Sequence, residues 1–204
     1  MNFFAHLVVA AREDRSEAFL LGAMLPDFGS MARFKVVAPA DASLRAGVTC
    51  HHATDEIFHS RASFLEHQSR GAEALRALGL RAAHARGVAH LGVELLLDGE
   101  LARLDDERAL FRRALEQGVE VDIDGDAQQR WQGLRRRLLD GTLPSAYRDP
   151  DFVADRLVGI CARRPKLVIP GEVAEALPEW TRGMQHHVSP WAEEIVEEVV
   201  ALRG

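Results

Sequence analysis

Cysteine is nearly absent from the chain: two occur in 204 residues, Cys50 and Cys161, far apart and in no CxxC arrangement. That excludes a disulfide framework and a thiolate zinc site, and it suits a reducing cytoplasm. No apolar run approaches the roughly 20 residues that cross a bilayer, so no membrane span is expected. The apolar opening carries His6, has no basic leader and runs into Arg12-Glu13-Asp14-Arg15, which argues against a secretory signal. GxxxxGK[ST], a GxGxxG opening a helix after a strand, and GxSxG are all missing, so P-loop, Rossmann and α/β-hydrolase chemistry have no foothold. A formal net charge of -6 offers no attraction to DNA or RNA, and no nucleic-acid module is recognisable.

What the chain does have is apolar content, 47% of its residues, enough to build a sizeable core in one compact domain over residues 1–204. Pro26, Pro39, Gly79, Gly125, Gly141, Pro144, Pro150, Pro165, Pro170, Pro178 and Pro190 punctuate it, and the segments between read with a helical period. Helices are predicted near 2–11, 13–24, 41–76, 80–102, 105–118, 126–140, 149–164 and 171–203, the last kinked or broken around Pro178 and Pro190. For 149–164, Asp149 or Asp151 offers a cap, Phe152, Leu157, Ile160 and Cys161 offer apolar contacts, and Pro165 stops the helix. Phe34-Lys35-Val36-Val37 and Val119 to Ile123 are the only short strand candidates. The expected class is all-α, a single helical bundle.

The chemistry sits on helix faces turned inward. His51, Asp55 and His59 recur every four residues, so on a helix turning about 100° per residue they climb one face. Leu44, Val48, Phe58, Ala62 and Leu65 fall within roughly 60° of His51, the width of a core-facing stripe. Burying Asp55 unpaired costs several kcal/mol, so a cation, an arginine or a dense hydrogen-bond set must meet it. His90, Glu94 and Asp98 repeat the pattern on a stripe shared with Val93, Leu97 and Leu101. Asp27 follows Leu25-Pro26 just after a helix, and His6 lies among Phe3, Phe4 and Leu7. Imidazole and carboxylate without thiolate suit one divalent ion held by His6, Asp27, His51, Asp55, His90 and Glu94; Mn2+, Fe2+, Mg2+ and Zn2+ all fit.

Blander readings stand beside these. His6 suits a core histidine as well as a ligand. Asp98 and His59, at the edges of their stripes, suit solvation or an arginine partner. His52 points about 100° away from His51, as befits either an outer group of the site or a surface residue. His67, His84, His186 and His187 lie in polar surroundings and are expected to be exposed. Arg130 with Arg135-Arg136-Arg137 reads as a solvated face or as a docking patch for an acidic partner.

Four blocks resemble a known family. Met1-Asn2-Phe3-Phe4-Ala5-His6-Leu7, Leu21-Gly22-Ala23-Met24-Leu25-Pro26-Asp27-Phe28, Gly47-Val48-Thr49-Cys50-His51-His52-Ala53-Thr54-Asp55, and Tyr147-Arg148-Asp149-x-Asp151-Phe152 leading through Leu157 and Gly159 to Arg163-Arg164-Pro165-x-Leu167 are similar to motifs of the acyl carrier protein phosphodiesterases. These holo-acyl-carrier-protein hydrolases are related to the HD-domain phosphohydrolases. The resemblance implies an HD-like helical fold, manganese, and hydrolysis of the phosphodiester that joins 4'-phosphopantetheine to acyl carrier protein. His51 and Asp55 then take the family's histidine and aspartate, Asp27 the aspartate of the second block, Glu94 a position where the family has aspartate, and His6 matches in place and type. The family's arginine, isoleucine and Asp-His doublet are here His52, Thr54 and Glu94-Leu95.

The catalytic expectation is therefore His51, His52 and Asp55, with an ion that activates water for in-line attack on phosphorus. His52, His59 and Arg164 are candidates to meet the leaving serine oxygen. Arg148, Arg163 and Arg164 are the substrate-binding expectation, and Arg135 to Arg137 or Arg163, Arg164 and Lys166 the docking surface for acidic acyl carrier protein. The alternatives are an HD-type phosphohydrolase of a small phosphoester or nucleotide, or a non-enzymatic relative that keeps only the helical fold.

Overall fold

The computed structural model describes residues 1–36, 39–117, 121, 123, 125–164 and 167–203, and among these the chain is all-α. The helices are α1 (Phe3–Ala10), α2 (Glu17–Ala32), α3 (Ala42–Ser60), α4 (Ala62–Ala77), α5 (Ala82–Leu101), α6 (Asp105–Glu116), α7 (Gly125–Asp140), α8 (Pro150–Cys161) and α9 (Gly171–Arg203), with a 3-10 turn at Ser145–Arg148. No strand occurs among the described residues: Phe34 to Val36 is irregular, and the rest of both strand candidates falls largely outside them. No helix there is long and apolar enough to cross a membrane.

The centre of the bundle is α1, all eight of whose residues are buried, and the second half of α5, buried continuously from Gly92 to Leu101. A helix apolar on every side belongs in the interior of a bundle, with other helices covering it. Both contact α9, and α1 also contacts α2 and α3. A single cluster of buried apolar side chains runs from Met1 to Val199.

The boundaries depart from expectation where packing outweighs local signals. α2 continues through Pro26 to Ala32 instead of ending at residue 24, which places Asp27 inside the helix. An interior proline costs about 3 kcal/mol, and burial of Phe28 between Phe3 and Trp131, each ring 5.5 Å away, returns a comparable ~1.5–3 kcal/mol. α9 likewise runs unbroken through Pro178 and Pro190.

The segment expected as one helix over 41–76 is two, because Arg61 adopts an extended backbone (φ -71°, ψ 132°). No breaker residue marks that point. Phe58 and Phe64 meet across the turn with ring centroids 4.3 Å apart, and the Arg61 side chain donates to the Ile57 carbonyl. The turn rotates everything after it, so Ala62 and Leu65 are exposed rather than sharing the His51 face. In α8, Asp149 is the cap, accepting from the Asp151 amide at 2.9 Å. Phe152 there is largely outside the core, and Val153, Ala154, Leu157 and Cys161 form the buried face.

Two glycines set how closely α2 and α3 cross. A Cβ on Gly22 would lie 2.1 Å from the Leu44 carbonyl oxygen, and one on Gly47 would lie 2.1 Å from that of Phe19. The backbones touch, and the Gly47-x-x-x-His51 spacing carries His51 one turn onward, toward the part of α2 that holds Asp27.

Candidate metal centre

Four helices contribute side chains to one end of the bundle: α1 supplies His6, α2 Asp27, α3 His51, Asp55 and His59, and α5 His90, Glu94 and Asp98. The groups expected to share one site form two. His6, Asp27 and His51 bring one ligand atom each within 4.8 Å of one another, and His59, His90 and Glu94 do the same. Asp55 lies between them: Oδ1 is 3.5 Å from His6 Nε2, and Oδ2 is 3.4 Å from His59 Nδ1.

In the first cluster His51 is buried and its Nδ1 lies 2.9 Å from the carbonyl oxygen of Ala23. A carbonyl only accepts, so Nδ1 carries the proton and Nε2 keeps its lone pair. The ring of His6 stacks on that of His51 at 3.8 Å. Both ring nitrogens of His6 are buried without a hydrogen-bond partner, as is Oδ2 of Asp27. Burial holds His51 down to about 4 and His6 to about 3, so both imidazoles are neutral at physiological pH. Burial also raises the Asp27 carboxyl above its ordinary range.

In the second cluster Glu94 Oε1 is 3.1 Å from His59 Nε2 and 3.1 Å from His90 Nε2. His90 is oriented by Gln68, whose amide lies 3.0 Å from Nδ1. The α-ammonium of Met1 sits between the carboxylates, 2.9 Å from Asp55 Oδ1 and 3.1 Å from Glu94 Oε1. Burial works against ionising either carboxyl, yet both lie well below the ordinary range. Close contacts with His59 and His6 and the Met1 charge hold Asp55 down, and the Met1 charge with His59 and His90 holds Glu94 down. Burial would lower His59, but Asp55 and Glu94 raise it to about 9.

Both clusters face a cavity of about 550 Å3, also bordered by Gln68, Arg86 and Arg164. Of the residues expected at the site, His51, Asp55, Asp27, His90, Glu94 and Arg164 line this cavity, and His6 lies behind it, stacked on His51. Others do not. His52 is exposed on another face of α3 and touches the centre only through its edge against the His51 ring at 5.3 Å, as its 100° offset requires. Arg148 is exposed and away from the cavity. Arg163 turns its Nε back to the Gly159 carbonyl at 3.0 Å.

Asp98 is fully buried, not solvated or paired with arginine. Its carboxyl accepts from Asn2 Nδ2 at 2.7 Å, the Phe4 amide at 3.2 Å and the Ala5 amide at 2.8 Å. It thereby satisfies the open N–H groups at the start of α1. Burial outweighs these donors and raises the carboxyl to about 7.

Three other expectations change. His67 and His84 are half-buried, His67 stacking on Trp191 at 4.4 Å. Arg135 donates to the carbonyls of Leu115, Glu116 and Gln117 at the end of α6. Arg130 does the same for Ala32 and Arg33 at the end of α2. Both arginines satisfy helix C-termini, which leaves Arg136 and Arg137 as the exposed, unengaged part of that basic run. Lys166 lies outside the described residues.

His59, a candidate for the leaving oxygen by its four-residue spacing but not for the metal, belongs to the cavity wall, as do Gln68 and Arg86. For Gln68 and Arg86, one polar residue among many on an exposed-looking face, the sequence carried no signal.

No protein-family model matches the chain, and no curated protein or solved structure is significantly similar to it.

Proposed function

We propose that this chain is a metal-dependent phosphodiester hydrolase resembling the enzymes that remove 4'-phosphopantetheine from holo-acyl carrier protein. The observation that carries the reading is the first cluster: two neutral imidazoles and a carboxyl group, with both ring nitrogens of His6 and Oδ2 of Asp27 buried and without a hydrogen bond. An unpaired buried polar group costs roughly 1–3 kcal/mol, and a divalent cation would satisfy the Asp27 oxygen and the lone-pair nitrogen of His6 together. Nitrogen and carboxylate donors without thiolate suit manganese, the ion the resemblance implies, as well as Mg2+, Fe2+ or Zn2+.

His6, Asp27, His51 and Asp55 would hold the ion. When bound, it supplies Lewis acidity, making water acidic near neutral pH and offsetting charge on a phosphoryl oxygen. The chain's own part is positional. The Ala23 carbonyl keeps the His51 lone pair turned away from α2's backbone, and the surrounding core excludes bulk water from His6. Arg164 and Arg86 at the mouth suit the phosphate and the developing charge on the serine oxygen. Arg136 and Arg137 remain for an acidic protein substrate.

The cavity volume falls in the range of small-molecule sites, which also favours a second substrate class, a small phosphoester or nucleotide. Incubating the purified protein with Mn2+ and holo-acyl carrier protein, and weighing the product by mass spectrometry, tests the first reading: loss of the prosthetic arm is expected. Hydrolysis of small phosphoesters with the carrier protein left intact selects the second. Absence of both activities in metal-loaded protein removes the enzymatic reading.

A further inference from the structure

We propose that the centre binds two divalent ions, the second held by His59, His90 and Glu94, with Asp55 bridging to the first. The inference rests on the metal-dependent reading above and adds a site to it.

Three observations carry it. Five of the six residues expected around a single ion separate into two groups, with Asp55 between them and His59 joining the second, and each group is closed in itself: the atoms of His59, His90 and Glu94 lie within 4.8 Å of one another without any member of the first cluster. Asp55 directs one oxygen to each group, Oδ1 toward His6 and Oδ2 toward His59. That is how a carboxylate must be turned to serve two cations at once. The second group already attracts positive charge, since the Met1 α-ammonium lies against Asp55 and Glu94.

His90 is also held as a ligand would be. Gln68 Nε2 lies 3.0 Å from its Nδ1, and the amide turned by 180°, which exchanges its nitrogen and oxygen, would accept the Nδ1 proton and leave Nε2 with a lone pair toward Glu94. An ion at this position displaces the ammonium from Glu94 and any proton from His59. Both groups border the same cavity, so a phosphoester entering it meets both positions, the arrangement by which paired ions stabilise attacking and leaving oxygens together.

Metal content and spin coupling decide the matter without reference to activity. The full chain is stripped with chelator, dialysed against Mn2+, and assayed for metal per chain and by electron paramagnetic resonance. Two Mn2+ per chain with an exchange-coupled spectrum are expected. His59→Ala and His90→Ala should each lose one equivalent and leave an isolated six-line signal, whereas His6→Ala and Asp27→Ala should lose the other. Circular dichroism checks folding, and if the alanine variants unfold, the wild-type stoichiometry and spectrum decide. One Mn2+ per chain, unchanged by His59→Ala and His90→Ala, overturns the second site and leaves the proposed function standing. No retained Mn2+ overturns both.

Discussion

His51 gives its Nδ1 proton to the carbonyl of Ala23 across 2.9 Å, tying the imidazole of α3 to the backbone of α2 one turn before Asp27. In the proposed centre one residue would thus supply both binding and orientation. His51→Ala is expected to remove the first ion and lower turnover by at least ~100-fold, a scale reached by loosening even an outer partner of a metal ligand. Asp55→Ala should do the same to both positions. A metal-replete, active variant of either kind would count against the assignment.

The α2–α3 contact gives a test of architecture. Gly47→Ala drives a methyl group into the Phe19 carbonyl and is expected to destabilise by ~1–3 kcal/mol, with a drop of ~2–4 °C in melting temperature per kcal/mol. Weaker Mn2+ affinity should accompany it, because Asp27 and His51 ride on the two helices. Gly183→Ala in α9 meets nothing within 4 Å and should be neutral or stabilising by up to ~1 kcal/mol. Thermal melts of the pair distinguish backbone contact from a general intolerance of substitution.

Acid should destabilise the metal-free chain through the buried imidazoles. His6 and His51 have folded values near 3 and 4, below the ordinary 6.5, so the unfolded state takes up protons first. Their contribution is complete above about pH 6.5 and is lost as pH falls toward 4 and then 3, at no more than ~1.4 kcal/mol per pH unit for each imidazole. Denaturant titrations in chelator between pH 4 and 7, comparing wild type with His6→Gln, isolate the His6 share. An unchanged slope in the variant would remove the prediction.

Asp98 works with the opposite sign. Its folded value is raised to about 7, so its contribution is complete below the ordinary value of 3.8 and declines as pH rises through 7. Asp98→Asn should abolish that decline. It also sets an NH2 group against backbone donors of α1, with an expected cost of ~1–3 kcal/mol. Stability of the variant at pH 5 and pH 8 measures both effects.

Arg86 and Arg164 flank the cavity mouth from α5 and from just beyond α8. Arg86→Glu and Arg164→Glu are each expected to raise the Michaelis constant for an anionic phosphoester about tenfold, leaving Mn2+ content unchanged. Arg148→Glu, away from the cavity, should have little effect on a small substrate. Steady-state kinetics with metal analysis check all three.

Much of the site was legible because an α-helix converts sequence spacing into direction. The four-residue steps of His51, Asp55 and His59, and of His90, Glu94 and Asp98, announced polar groups on otherwise apolar faces. The same arithmetic turned His52 about 100° from His51, and it is exposed and outside the cavity lining. The turn at Arg61 was not legible, since aromatic contacts between Phe58 and Phe64, rather than any breaker, produce it. The passage of α2 through Pro26 was hidden for a similar reason: proline carries a local cost, and the compensating burial of Phe28 depends on residues from α1 and α7.

By itself the sequence determined that the chain would be helical and that imidazoles and carboxylates would face inward, because both follow from hydrophobic periodicity along a single segment. Only the tertiary structure decided which of them meet. It divided the expected ligands into two groups, turned the two oxygens of Asp55 toward different partners, and put Asp98 under the start of α1. These depend on distances between helices, set by how closely glycine backbones and aromatic side chains let them approach.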